Sequence, residues 1–136
     1  MPPEALEVRA WLEKAQRDRR TADAALQLQP PITDIAGFHA QQAAEKTLKA
    51  YLVWRQTEFE RIHDLEILVD SCAAHDHAFA DLRDQVRGLT AFAVRYRYPG
   101  PADPTLEQAS TALQVADTVW KFVTGRLPEP ITRGLA

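Results

Sequence analysis

Cysteine is almost absent from this chain of 136 residues, in which Cys72 is the single one. One cysteine excludes an internal disulfide framework and a zinc site built only from cysteines. Long apolar runs are also missing, since none approaches the roughly 20 residues of a membrane-spanning helix. The first residues have neither the basic start nor the apolar stretch of a secretory signal. We therefore expect a soluble, cytoplasmic protein without a membrane segment.

Glycine is scarce as well, with five residues, and no run alternates β-branched with polar residues, so strands are not predicted. The nine prolines leave long stretches uninterrupted, and these stretches are rich in helix-forming residues. The formal net charge is −3, which argues against a protein that binds nucleic acid over its whole surface. The chain is expected to be all-α, with room for a local basic patch.

Between the prolines, apolar residues recur at alternating steps of three and four, the spacing of one helix face. The predicted helices are 4–28, 33–55, 63–75, 78–97 and 104–127. Side chains that can cap the second, fourth and fifth are Thr33 or Asp34, Asp76 or His77, and Asp103 or Thr105. Short polar connections favour an up-and-down bundle of four or five helices. We expect one domain over 1–127 and a loose tail over 128–136.

Two residues within the apolar stripes, Arg19 and Cys72, have a charged or a reactive side chain. Arg19 interrupts the stripe of the first helix, and we expect it at the stripe's edge, reaching outward. A pair with a carboxylate is the alternative. Cys72 falls on the apolar side of the third helix, which predicts a buried, inert thiol.

The second helix carries a polar stripe of His39, Gln42, Lys46 and Lys49, spaced by three, four and three residues. Glu45 precedes Lys49 by four residues, the favourable order for a surface ion pair. The simplest interpretation of the stripe is a solvated face, and a ligand-binding face is the alternative.

His63 and Asp64 open the third predicted helix. A first-turn Asp64 complements the helix dipole and His63 beside it can act as a capping element, so capping is the favoured interpretation. The alternative is a couple in which His63 is the general base and Asp64 orients it. His75 and His77 flank Asp76 without further ligands nearby, so we predict no metal site. No Gly-rich phosphate loop or other cofactor motif is present.

The fourth predicted helix ends in Arg95-Tyr96-Arg97-Tyr98, followed by proline and glycine. Arginine binds phosphate bidentately, and tyrosine stacks on bases. Tyr96 falls on the apolar stripe and should be core, whereas Arg97 and Tyr98 are the better ligand candidates. Arg95 is a candidate for an ion pair. The structural alternative is that cations favour a helix end and aromatic residues pack at a bundle edge.

Taken in order, these segments resemble the HEPN domain family, the higher eukaryotes and prokaryotes nucleotide-binding domain. The resemblance rests on residues 11–18, 38–50, 63–65 and 97–99, and it spans about 6–102. It implies a helical bundle that dimerises and works beside a small nucleotidyltransferase, as a substrate-binding subunit or in a toxin–antitoxin pair. Some family members are metal-independent ribonucleases, with an arginine followed after four to six residues by a histidine. No histidine follows Arg95 or Arg97 at that spacing.

We therefore expect a non-catalytic homodimer that binds a nucleotide or an RNA phosphate and has a nucleotidyltransferase-type partner. The expected ligand-binding residues are Arg97, Tyr98, Arg95, Lys46, Lys49, His39 and Gln42, with the two lysines across a groove from the arginines. One alternative is a ribonuclease toxin that uses His63, with Asp64, or His39. The other is a helical interaction module without a ligand.

Overall fold

The computed structural model describes residues 1–59, 61–96, 98–100 and 102–136. The helices are α1 (Pro3–Gln27), α2 (Thr33–Trp54), α3 (Leu65–Ala73), α4 (Arg83–Arg87), α5 (Ala91–Val94), α6 (Leu106–Thr124) and α7 (Glu129–Thr132), with a 3₁₀ segment, His77–Leu82, between α3 and α4. No strand occurs within the described ranges, and the all-α prediction is confirmed. Nor does any helix in those ranges have the length and apolarity needed to span a bilayer.

Helix α2 lies at the centre of the bundle, between α1 and α6. Thirteen of its 22 residues are buried, far more than one packed face would cover. Five of them are alanines, whose small side chains let neighbouring helices approach closely. Helix α3 contacts α2 beside Leu48, where the Cys72 thiol lies 3.8 Å from the Leu48 carbonyl oxygen. Burial raises the pKa of Cys72 to about 12, which agrees with the expected inert thiol.

The single helix predicted over 78–97 is wrong. Its first half is the 3₁₀ segment followed by α4, and a turn at 88–90 separates α4 from the short α5. Phe79, Leu82, Val86 and Leu89 are buried as the apolar spacing suggests. That spacing fits a broken series of short helices as well as one long helix, and Gly88 weakens the helix at the break. The predicted ligand residue Arg97 lies outside the described residues.

The helix caps are only partly as predicted. Ile32 holds the cap position of α2 and has no polar side chain, so the cap predicted there is wrong. The Asp76 carboxylate accepts from the Ala78 amide (3.0 Å) and caps the 3₁₀ segment. Thr105 and Gln108 form a capping box at the start of α6, which confirms the prediction for Thr105.

Residues 128–136 pack against α1 and do not form the expected loose tail. Ile131 in α7 is buried. Arg9 of α1 donates to the carbonyl oxygens of Ile131 (3.0 Å) and Arg133 (2.8 Å). The proline-rich composition of this segment gave no sign of these long-range contacts, because they depend on the distant Arg9.

Arg19 forms a pair with a carboxylate, which was the less favoured of its two interpretations. Its Nε donates to Asp117 Oδ1 of α6 at 2.8 Å. Its guanidinium carbon also lies 4.6 Å from the centre of the Trp120 ring. The arginine therefore links α1 to α6 at the edge of the apolar core.

Gly37 sets how closely α5 packs against α2. A Cβ atom at this position would overlap the ring of Phe92, whose Cγ would be 2.9 Å away. Phe92 is buried, and its ring packs against that of Tyr96 with 5.1 Å between the centroids. The missing side chain at Gly37 therefore fixes the position of α5 and of the residues that follow it.

We predict that Gly37→Ala lowers the free energy of unfolding by about 1–3 kcal/mol, because the added methyl group overpacks against Phe92. Urea unfolding followed by circular dichroism measures this change. Phe92→Leu, introduced into the Gly37→Ala protein, should recover part of the loss.

Gly88→Ala is the matched control. Gly88 has helical dihedrals, and a Cβ there meets nothing closer than the Gln85 carbonyl oxygen at 4.0 Å. This substitution should leave stability unchanged or raise it by about 0.4–1 kcal/mol. Equal effects of the two substitutions would contradict the proposed packing role of Gly37.

Candidate functional site

The predicted ligand residues lie on two different surfaces of the bundle. Arg95 and Tyr98 follow α5, which packs over Gly37 of α2. Lys46 comes nine residues after Gly37, and at about 3.6 residues per turn these two positions are on opposite sides of α2. Within one chain, the structure therefore does not bring Lys46 across a groove from Arg95.

The α5 surface consists of Arg95, Tyr96, Tyr98 and a neighbouring groove. Arg95 is exposed, and its guanidinium carbon lies 5.5 Å from the centre of the Tyr96 ring. Tyr96 is half-buried and packs against the core, so it is less enclosed than the sequence suggested. Tyr98 is 63% exposed. This surface presents a guanidinium group and two phenol rings within a few residues.

The groove has a volume of about 480 Å³ and lies between α4, α5 and the first half of α6. Leu89, Phe92, Tyr96, Ala112 and Val115 contribute its apolar lining, and Gln85, Thr105, Glu107, Gln108 and Thr111 its polar lining. No histidine is among the described residues that border it. The sequence gave no indication of this groove, because its lining comes from positions about 20 residues apart on separate helices.

The α1–α2 surface consists of Asp18 and the polar residues of α2. Asp18 is buried and accepts from His39 Nδ1 at 2.8 Å and from Lys46 Nζ at 2.7 Å. His39 and Lys46 thus tie α2 to α1, and the interpretation of this stripe as a solvated face is wrong. Sequence reasoning missed Asp18, although its position seven residues after Trp11 places it on the side of α1 that faces α2.

Glu45 is the centre of a buried polar network on the same surface. It is 5% exposed, and its Oε2 accepts from Lys49 Nζ at 2.9 Å and from His63 Nδ1 at 3.1 Å. Its Oε1 accepts from Gln41 at 3.3 Å, and Gln42 donates to Gln41 at 2.7 Å. The predicted Glu45–Lys49 pair exists, but it is buried and not on the surface.

Two aromatic rings surround the ammonium group of Lys49. Its Nζ lies 5.8 Å from the centre of the Trp11 ring and 5.4 Å from that of Phe59. The two rings contact each other edge to face at 5.7 Å. Lys49 is therefore held by a carboxylate and two ring faces, and it has little surface left for a ligand.

The histidine–carboxylate couple in the structure is His63–Glu45 and not the alternative His63–Asp64 couple considered from the sequence. Asp64 Oδ1 accepts from the amides of Glu66 (2.9 Å) and Ile67 (3.2 Å), so the favoured capping interpretation holds, with Asp64 and not His63 as the cap. Because a carboxylate only accepts hydrogen bonds, His63 Nδ1 is the donor in this contact. The His63 side chain is 69% exposed.

The region around Asp76 is engaged in structural contacts. His75 Nε2 lies 2.6 Å from Thr57 Oγ1, and the Asp76 carboxylate caps the 3₁₀ segment. The Ala78 amide and the Arg126 side chain lower the pKa of Asp76. Across the described residues, no three His, Cys, Asp or Glu side chains cluster closely enough to hold a metal ion.

Comparisons with known proteins agree with this architecture. The HEPN domain model matches residues 8–127. The crystal structure of TT1696 from Thermus thermophilus is 31% identical over 88% of this chain and 98% of that chain, with a TM-score of 0.78. The structure of ST0689, an archaeal HEPN homologue, shares the fold at 24% identity over 88% of this chain and 96% of that chain, with a TM-score of 0.66. No curated protein sequence matches. The chain belongs to the HEPN domain family, which confirms the resemblance found in the sequence.

The buried Glu45–Lys49 pair generates a stability prediction. Lys49→Met leaves the Glu45 carboxylate buried without its ammonium partner, and we expect a loss of about 3–5 kcal/mol in the free energy of unfolding. The double variant Glu45→Gln, Lys49→Met removes both charges and should be clearly more stable than Lys49→Met alone. Urea unfolding at pH 7 measures both. A double variant no more stable than Lys49→Met would contradict a buried charge pair.

Proposed function

We propose that this HEPN protein binds a nucleotide or an RNA phosphate at the α5 surface and does not cleave it. The observation that carries the proposal is the exposed guanidinium of Arg95, 5.5 Å from the Tyr96 ring and close in sequence to the exposed Tyr98. Arg97 adds a second guanidinium to the same segment. Guanidinium groups bind phosphate oxygens through paired charge-assisted hydrogen bonds.

Four residues expected from the sequence are left out of the proposed site. Lys46 and His39 contact Asp18, and Lys49 contacts Glu45, so their charged or polar groups already have partners inside the bundle. Gln42 donates to another glutamine of the same network. These contacts support a structural role for the α1–α2 surface.

We further infer that the protein is a homodimer that works beside a small nucleotidyltransferase, as membership of the family suggests. Three exposed apolar residues that are close in sequence, near the end of α1 and the start of α2, support a protein contact there. Leu28, Ile32 and Ile35 are each more than 40% exposed. Light scattering at micromolar concentration measures the dimer directly.

The absence of catalysis is proposed from the positions of the histidines. His39 and His63 lie on the α1–α2 surface, and His75 and His77 lie between α3 and α4. None of the four borders the groove beside Arg95 in the part of the chain that the structure describes. Metal-independent RNA cleavage needs an acid–base group beside the phosphate site.

The second candidate function is a ribonuclease that uses His63. The observation in its favour is the His63–Glu45 couple, in which a buried carboxylate orients an exposed imidazole. Against it, Glu45 belongs to the α1–α2 surface and comes eight residues after Gly37, about 12 Å further along α2 than the position where α5 packs. The phosphate-binding and acid–base groups would therefore not meet within one chain.

Arg97→Ala should weaken the binding of ADP or a short oligoribonucleotide at least tenfold and leave the melting temperature nearly unchanged. The lost charge-assisted contact is worth about 1.5–3 kcal/mol. Isothermal titration calorimetry measures the affinity. Arg17→Ala, which removes an exposed arginine from α1, is the matched control and should bind like the wild type. Arg97 would be a structural residue if its loss unfolded the protein or left the affinity unchanged.

The purified protein should not cleave a labelled oligoribonucleotide, because no histidine among the described residues borders the groove beside Arg95. Gel analysis of the RNA after prolonged incubation measures cleavage. His63→Ala and the exposed control His77→Ala should behave like the wild type. Cleavage that survives repurification and disappears only in His63→Ala would favour the second candidate function.

A further inference from the structure

We propose that the groove between α4, α5 and α6 binds the base of the nucleotide whose phosphate lies at Arg95. The inference rests on the proposed function and adds the class of ligand, which is a nucleotide unit and not phosphate alone. A groove of about 480 Å³ lies within the size range of small-molecule sites, roughly 300–1,000 Å³.

Tyr96 connects the groove to the arginine segment. Its ring borders the groove, and it packs against the buried ring of Phe92 with 5.1 Å between the centroids and 35° between the planes. Phe92 in turn lies against Gly37, so the orientation of Tyr96 is set by the core. The Arg95 guanidinium carbon lies 5.5 Å from the centre of the Tyr96 ring, so a base in the groove and a phosphate at Arg95 would both lie beside Tyr96. Aromatic side chains stack on any base, since each base has a π-face.

The polar lining of the groove on α6 complements the edge of a base. Gln108 Oε1 accepts from the Thr105 amide at 2.8 Å. This contact uses the oxygen of the side-chain amide and leaves its nitrogen to donate to a ligand. Thr111, about one helical turn further along, is exposed and has a hydroxyl that donates or accepts. The edges of bases carry both acceptors and donors, so these groups can hold one.

Glu107 distinguishes a base from a phosphate in this groove. Its carboxylate only accepts hydrogen bonds and carries a negative charge, so it repels a phosphate placed beside it. It accepts from the exocyclic amine of adenine, guanine or cytosine, which uracil lacks. The groove should therefore prefer bases with an amino group, and purines most, because they offer the larger stacking surface.

Binding of AMP, UMP and ribose 5-phosphate to the full chain tests the inference by isothermal titration calorimetry. We expect AMP to bind at least tenfold more tightly than ribose 5-phosphate, with UMP in between. Glu107→Gln should reduce the preference for AMP over UMP, because an amide in place of the carboxylate is a weaker acceptor and can turn its donor toward uracil.

Thr111→Phe fills the groove from an exposed position, so it should fold normally. Its affinity for AMP should fall to that for ribose 5-phosphate, whose own affinity should not change. Gln114→Phe is the matched control, since Gln114 is exposed on the same helix and does not border the groove. This control should bind all three compounds like the wild type.

Each other outcome is decisive. Equal affinities for AMP and ribose 5-phosphate in the wild type would overturn the base site and leave the phosphate site standing. No measurable binding of either compound would overturn both. A second copy of the chain would be the occupant if Thr111→Phe converted a dimer to a monomer in light scattering without changing the ratio of the two affinities, and this result would also overturn the base site.

Discussion

The enclosure of α2 by its neighbours is the constraint on which the rest of the structure depends. A helix surrounded by α1, α3, α5 and α6 has almost no face on which polar side chains can be left to water, and an unpaired buried polar group is costly. Its polar residues are accordingly paired, above all through Asp18 of α1 and Glu45 of α2 itself. Within the described ranges, every buried side-chain nitrogen or oxygen has a hydrogen-bond partner.

This constraint separates two kinds of polar residue. The charged groups of the α1–α2 surface form short contacts with carboxylates inside the bundle, whereas the guanidinium group of the α5 surface is exposed to solvent. Lys49 and Arg95 illustrate the difference, because both lie near aromatic rings, yet Lys49 is buried beside a carboxylate and Arg95 is exposed. An exposed cation beside a ring can exchange water for a ligand, which is why the proposed site lies at α5.

Gly37 is the position at which the buried helix α2 determines where the α5 surface lies. It lets Phe92 contact α2, and Phe92 supports Tyr96, which borders both the groove and the Arg95 guanidinium. A helix as short as α5 has little stability of its own. Its position therefore comes from packing against α2, and the geometry of the proposed ligand site follows from the core.

The sequence by itself determined the all-α class, the family and the long helices, with α1, α2 and α6 close to their predicted bounds. The caps at Asp64 and Thr105 were also predictable, because a cap depends only on residues within one turn. Only the tertiary structure decided that Arg19 pairs with Asp117, that Glu45 and not Asp64 holds His63, and that residues 78–97 form a broken series of short segments. The physical reason is that spacing along a helix specifies which residues share a face, but not which face of another helix it meets.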